Sequence, residues 1–498
     1  MAPNIDIEKL AMIGCGSMGG GMALLFAEKG ISVSLQDPSE EVMDALVAEA
    51  KKLDIGERVQ KYTDYKSLCA SLGSTKVFVF SLPHGSVGDT VLGGLLPFLK
   101  KGDIIIDAGN EHWENTERRQ GKCTTKGIRY VGMGVSGGYQ AARRGPSMCP
   151  GADDESLDIV MPLLRKAAAK DSKGNPCVGK AGTGGSGHYV KMIHNGIEHG
   201  MMCAISEAWA IMHKGLGMNE DEIGDVFAKW NSDGELRGTF LIDIGANICR
   251  TKDSKTGERV VDTVEDKVVQ DLTGEEGTGI WSNAEAVNNH VPAPTLTVAH
   301  YLRIASAYRA DRLHVKKSMG GAFPPQKLAI EDKREFLEQL RQATYTACLA
   351  AYVQGINTID HGNRANKWNV DFRAVLQIWR AGCIIQADHI ADMLQPIFDR
   401  RAAEDDVNLL FEEEVARDLR KGQSALKTVV VEATRADHVV PSLSASLEYI
   451  KYSCSEDLPT SFYEAELDYF GKHMYDKKGE DPAGLPTEGK HHYEWKPA

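Results

Sequence analysis

Lys9-Leu10-Ala11-Met12-Ile13-Gly14-Cys15-Gly16-Ser17-Met18-Gly19, followed by Met22-Ala23-Leu24-Leu25-Phe26-Ala27, decides the fold. The first five residues read as a short strand and the last six as a helical run, with G-x-G-x-x-G between them. The first glycine permits the tight turn, and the second lets the backbone approach a pyrophosphate. The third lets the helix pack on the strand. The amide-rich helix N-terminus then faces the anion. Gly14, Gly16, Ser17, Met18 and Gly19 are the expected cofactor contacts. A helix that merely starts after a glycine turn would share this pattern, so the next strand has to arbitrate.

Ile31-Ser32-Val33-Ser34-Leu35-Gln36 reads as that strand, and it ends at Asp37. An acid about 20 residues after the glycines can accept hydrogen bonds from the adenosine ribose hydroxyls. It would repel a 2′-phosphate, and no arginine follows to counter the charge. The expected cofactor is therefore NAD. The alternative use of Asp37 is as a turn or helix cap before Pro38.

Three more apolar runs support a doubly wound sheet. Val77-Phe78-Val79-Phe80-Ser81-Leu82 ends in Pro83-His84-Gly85, and Asp103-Ile104-Ile105-Ile106-Asp107 ends in Ala108-Gly109-Asn110. Arg129-Tyr130-Val131-Gly132-Met133-Gly134-Val135 ends in Ser136-Gly137-Gly138. Buried parallel strands have this composition, and ligands bind beyond their C-terminal ends. Leu82, Pro83 and Asn110 thus fall on the cofactor, and Ser136, Gly137 and Gly138 where cofactor meets substrate.

Gly187-His188-Tyr189-Val190-Lys191-Met192-Ile193-His194-Asn195-Gly196-Ile197-Glu198 carries the chemistry. Lys191, His194, Asn195 and Glu198 stand three, four and seven apart, hence on one helix face. Their neighbours Val190, Met192, Ile193 and Ile197 look buried, so the polar row must face a partner or a cleft. Amine, imidazole, amide and carboxylate in one row suit proton transfer. A buried polar network that only ties helices together is the competing reading.

The chain has 498 residues, enough for two or three domains, and a formal charge of −13. That charge argues against an electrostatic grip on nucleic acid or an acidic membrane. Ten scattered cysteines without a C-x-x-C pair suggest reduced thiols in a cytoplasmic protein and no metal site. No signal peptide or membrane-spanning run is expected. Strands and helices alternate up to a glycine-rich hinge, Gly179 to Gly187, and long helical patterns follow, such as Glu335 to Val353 and Phe372 to Asp392. From Ser455 the chain reads as an extended tail with Tyr463, Phe470, Tyr475 and Trp495. The expected domains are an α/β Rossmann-type dinucleotide-binding domain (1–184), a large all-α domain (185–454) and a C-terminal tail (455–498).

These residues together resemble the 6-phosphogluconate dehydrogenase family. The resemblance extends through Gly277-Thr278-Gly279-Ile280-Trp281, Trp379-Arg380-Ala381-Gly382-Cys383-Ile384-Ile385 and Asp468-Tyr469-Phe470-Gly471-Lys472-His473. It implies a homodimer whose tail reaches the partner's site, and metal-free oxidation at C3 of a sugar acid followed by decarboxylation. It implies that Lys191 is the general base and acid and that Glu198 protonates the enediol carbon. Asn195, Ser136, Gly137 and Gly138 would hold the substrate, with His194 beside it. Asp37 replaces the family's NADP-phosphate arginine.

The phosphate clamp departs from the pattern. His199 stands where the family has tyrosine, Glu276 where it has lysine, and Leu467 where it has one of two arginines. Arg303 and His473 are kept. The expectation is therefore an NAD-dependent oxidative decarboxylase of a 3-hydroxy aldonate that is not phosphorylated. The alternatives are a 6-phosphogluconate dehydrogenase with a rebuilt phosphate pocket, and a non-catalytic NAD-binding sensor.

Overall fold

Short buried apolar runs alternating with helices give a seven-stranded sheet in the computed structural model, which describes residues 6–274, 277–401, 406–480, 484 and 489–496. The strands are β1 (Lys9–Ile13), β2 (Ser32–Gln36), β3 (Val59–Lys61), β4 (Val77–Phe80), β5 (Ile104–Asp107), β6 (Arg129–Ser136) and β7 (Ser147–Gly151). Their order is β3-β2-β1-β4-β5-β6-β7. The first six are parallel, and β7 runs antiparallel to β6. The order reverses between β1 and β4, which places the ligand crevice beyond their C-terminal ends. Every residue of β4 and β5 is buried, which is why those runs carry no alternation. The helix after β1 spans Ser17–Glu28 and buries Met22 through Ala27.

The polar row Lys191, His194, Asn195 and Glu198 lies on the helix Ser186–Ala210. This helix packs on β6 and β7 at one side and on Lys333–Asn366, Thr278–Asn288 and Pro294–Ala307 at the other. Being enclosed over most of its surface, it is apolar on more than one face.

Two sequence expectations need correction. Phe372 to Asp392 is not one helix: it divides into Phe372–Ile378 and a second helix starting at Asp388. Gly382 between them is left-handed at φ 63°. The backbone there bonds to other parts of the molecule, with Ser147 N–H donating to Gly382 O at 2.9 Å and Ile384 N–H to Ser136 Oγ at 3.3 Å. The tail is also more ordered than an extended segment. It contains the helix Thr460–Gly471, and Asp468 gathers the chain after it. The Asp468 carboxylate accepts from Met474 N–H, Tyr493 N–H and Trp495 Nε1–H. β3 and β7 were not foreseen; each is short, and β7 contains a proline and ends in glycine.

Residues up to Leu447 form one compact unit, and those from Glu448 onward form a second. Among the described residues no helix is long and apolar enough to cross a membrane. All ten cysteines are free thiols among the described residues; nine are buried and Cys454 is exposed.

Candidate active site

Gly14 turns the chain at φ 88°, and a Cβ there would overlap the Ser81 carbonyl oxygen. A Cβ at Gly19 would overlap Gly14 O, whereas Gly16 faces open space. That is the pattern expected where only the middle glycine meets a ligand. Asp37 ties this loop to the end of β2: one carboxylate oxygen accepts from Cys15 N–H at 2.8 Å and the other from Ser39 N–H at 2.8 Å. Ser39, not Asp37, caps the next helix. Ionised Asp37 still has lone pairs for ribose hydroxyls. Its charge is felt locally, since burial first and then Asp37 push the Cys15 thiol up to about 12. Lys61 on β3 is engaged by Glu40 and Asp44.

Leu82 is partly buried, whereas Pro83 and Asn110 are exposed at the ends of β4 and β5. Arg119 organises the loops that carry them. It is fully buried, donates to Gly85 O at 2.6 Å and to Glu111 at 2.7 Å, and reaches Asp107 at 3.4 Å. Such a buried ion network is sustained because each charge has several partners.

Within the first three turns of the helix Ser186–Ala210, the polar row comes together. Lys191, His194 and Asn195 are buried, at 8, 1 and 7 % exposure. Lys191 Nζ donates to Asn195 Oδ1 at 2.5 Å and lies 3.5 Å from His194 Nδ1. His194 Nδ1 is 3.0 Å from Asn195 Oδ1 and 3.8 Å from the partly exposed Glu198 carboxylate. On its other side His194 Nε2 is 3.0 Å from Ser136 Oγ and 3.1 Å from Cys383 Sγ. Burial first, and then the Lys191 charge, hold His194 well below the ordinary histidine range. It is a neutral imidazole that donates at one nitrogen and accepts at the other. Asn195 Nδ2 donates to Thr278 Oγ1 at 2.9 Å. Lys191 stands on Gly134 of β6, where a Cβ would overlap its own.

Gly137 and Gly138 follow Ser136 with φ of 106° and 68° and open the helix Gly138–Arg144. His199, two turns beyond Lys191, is buried, and burial, Arg303, His300 and Lys191 together lower it to about 3. It is therefore neutral near pH 7 and supplies no cation. Arg303 Nε donates to buried Asp271 Oδ2 at 2.7 Å, a partner the sequence reading had not considered. Glu276 lies outside the described residues. His473 belongs to the second unit and is exposed beside Phe470.

Thr278 and Cys383 are partners of the row, and Ile384 N–H donates to Ser136 Oγ, contacts that the sequence motifs holding these residues do not predict. Their signal was a motif with no chemistry legible in one dimension, since Thr278 is 83 residues from Asn195.

A dinucleotide crevice facing a buried amine–imidazole–amide row defines a dehydrogenase that moves protons as well as hydride. The family described as "6-phosphogluconate dehydrogenase, C-terminal domain" matches residues 187–495, and the "NAD binding domain of 6-phosphogluconate dehydrogenase" matches residues 9–182. A "6-phosphogluconate dehydrogenase, decarboxylating" of Emericella nidulans is 43% identical, covering 97% of this chain and 100% of the relative. An "NADP(+)-dependent, decarboxylating" relative of Bacillus subtilis is 34% identical, covering 98% and 99%. The solved structure of Plasmodium falciparum 6-phosphogluconate dehydrogenase, whose cofactor and substrate are described as NADP+ and 6-phosphogluconate, superposes with a TM-score of 0.86 at 32% identity. It covers 98% of this chain and 100% of that one. The chain belongs to the 6-phosphogluconate dehydrogenase family, and it is a decarboxylating hydroxyacid dehydrogenase of that type.

Proposed function

We propose that the chain oxidises and decarboxylates a 3-hydroxy sugar acid, with 6-phosphogluconate as the first reading of the substrate. The Lys191–Asn195–His194–Ser136 network carries the proposal. A bound nicotinamide dinucleotide would accept the hydride from C3. Lys191, as the neutral amine, takes the C3 hydroxyl proton and returns it to the carbonyl oxygen as carbon dioxide leaves. Glu198 protonates the enediol carbon. Asn195 and Ser136 hold the substrate oxygens, and His194 is kept neutral between them.

The sequence alone led to an unphosphorylated acid. Full-length relatives named for the phosphorylated acid support the alternative instead. The second reading is retained for a specific observation: at the clamp positions His199 is neutral and Leu467 is apolar. Comparing kcat/KM for 6-phosphogluconate and gluconate, with carbon dioxide measured, separates the two. A preference of about tenfold or more for 6-phosphogluconate is the expected result. A preference for gluconate would overturn the first reading in favour of the second.

The same assay tests the cofactor, which we read as NAD. Asp37 at the ribose position, with Glu40 and Asp44 engaging Lys61, makes this end of the crevice acidic and unsuited to a 2′-phosphate. NAD is expected to exceed NADP in kcat/KM, and Asp37→Arg to move the preference towards NADP. Equal or better efficiency with NADP would remove the claim.

We also read the chain as a cytoplasmic homodimer with the divisions 1–184, 185–454 and 455–498, the tail completing the partner's site through His473. Exposed Phe462, Tyr463, Phe470 and Trp495 in the tail support docking on another surface. Inactive Lys191→Met mixed with inactive His473→Ala should regain activity as hybrid dimers. Exchange of subunits without recovery would end that reading.

A further inference from the structure

His84 lies in the loop after β4, on the cofactor side, but it reaches across to the helical part of the unit. Its Nε2 is 3.0 Å from the carbonyl oxygen of Gly274. Its ring meets the Trp281 indole edge to face, with centroids 5.1 Å apart and planes at 84°. His112, from the loop after β5, meets the same indole at 5.2 Å and 89°. Trp281 is thus gripped by one imidazole from each loop that flanks the crevice beyond β4 and β5. Both loops are fixed from behind by the Arg119 network: Glu111 accepts from Gly85 N–H at 2.9 Å and from His112 N–H at 2.8 Å, and Arg119 holds Glu111.

Trp281 sits one turn after Thr278 on the helix Thr278–Asn288. Thr278 Oγ1 accepts from Asn195, and Asn195 accepts from Lys191. A short path therefore runs from the cofactor loop through His84 to Trp281, along one helical turn to Thr278, and through Asn195 to the reacting amine. Trp113 Nε1–H, next to His112, donates to Glu285 Oε1 on the same helix at 3.1 Å, so that helix is held at both ends.

We propose that His84 and Trp281 are positioning residues that couple the dinucleotide site to the acid site, so that each ligand tightens the other. Contacts of this kind transmit energy only if filling one site biases the geometry of the other. His84 suits that task. It is partly exposed at the crevice, it hangs from a loop expected against the dinucleotide, and its far contacts are with the element that orients Asn195. Because coupling is reciprocal, the factor by which the acid tightens the dinucleotide equals the factor by which the dinucleotide tightens the acid.

The proposal rests on the reading of Lys191 and Asn195 as the reacting site, but its test reads binding and not turnover. The dissociation constant of reduced dinucleotide is measured by its fluorescence, without acid and with saturating 6-phosphogluconate or gluconate, whichever the turnover comparison selects. The full-length protein should show a tightening of about fivefold or more. In His84→Ala and in Trp281→Phe that factor should fall towards one, with the midpoint of thermal unfolding little changed. A wild-type protein without tightening, or variants that keep the wild-type factor, would overturn the proposal. A merely structural contact would lower the unfolding midpoint and leave the factor intact. Coupling without turnover would instead sink the functional reading and leave this one standing.

Discussion

Lys191→Met is expected to lower turnover by about 10³-fold or more while dinucleotide binding stays within a few-fold of wild type. In the proposed reaction Lys191 moves a proton twice, once from the substrate hydroxyl and once back to the carbonyl oxygen. Methionine keeps the length and suits the burial, so the fold should survive. Asn195 Oδ1 loses the amine but keeps His194 Nδ1 at 3.0 Å. Fluorescence titration of the dinucleotide and steady-state kinetics check the two halves of the claim. A further reporter is His194, whose ring is held below the ordinary range first by burial and then by the Lys191 charge. Removing that charge should let the imidazole titrate at higher pH, readable by NMR. Wild-type turnover in the variant would make the row a structural network.

The row was legible because helical spacing is a local property: Lys191, His194 and Asn195 lie within one turn and a half, and their apolar neighbours announced the burial. The fingerprint was legible for the same reason, since strand, turn and helix are contiguous from Lys9 to Glu28. The partners were not. Ser136, Thr278 and Cys383 reach the row from three other elements, and only the folded chain brings them within 3.1 Å of it. The break after Ile378 escaped because the apolar spacing of Phe372 to Asp392 continues through it. Helical pattern cannot show that Ile384 N–H and Gly382 O are committed to the ends of β6 and β7. The tail helix was masked by the prolines around it, although Pro459 stands just before its first turn, where proline is tolerated. The state of His199 was equally hidden. A histidine in sequence can be cationic or neutral, and here enclosure among Arg303, His300 and Lys191 decides for neutral.

Gly134→Ala is expected to lower kcat by about 10²-fold, for a reason visible only in three dimensions. Gly134 lies on β6 against Lys191 of the helix Ser186–Ala210 and pairs with Cys149 of β7. A methyl group there would overlap the Lys191 Cβ, stand 2.9 Å from its Cγ and press on Gly187 O at 3.0 Å. The helix cannot retreat freely, because Lys333–Asn366 packs on it elsewhere. Overpacking of this kind costs about 1–3 kcal/mol of stability. The functional loss should be larger than that strain suggests, since a shift of about 1 Å in a reacting group can cost about 10²-fold in rate. Gly132→Ala is the matched control. Its methyl group would meet Thr116 Cγ2 at 2.5 Å and His188 Nδ1 at 3.0 Å, a comparable crowding that meets the same helix at His188 and not at Lys191. The two variants should lose similar stability, while Gly132→Ala keeps kcat within about tenfold of wild type. Equal losses of kcat in both would show that general strain in β6, and not the placement of Lys191, limits the reaction.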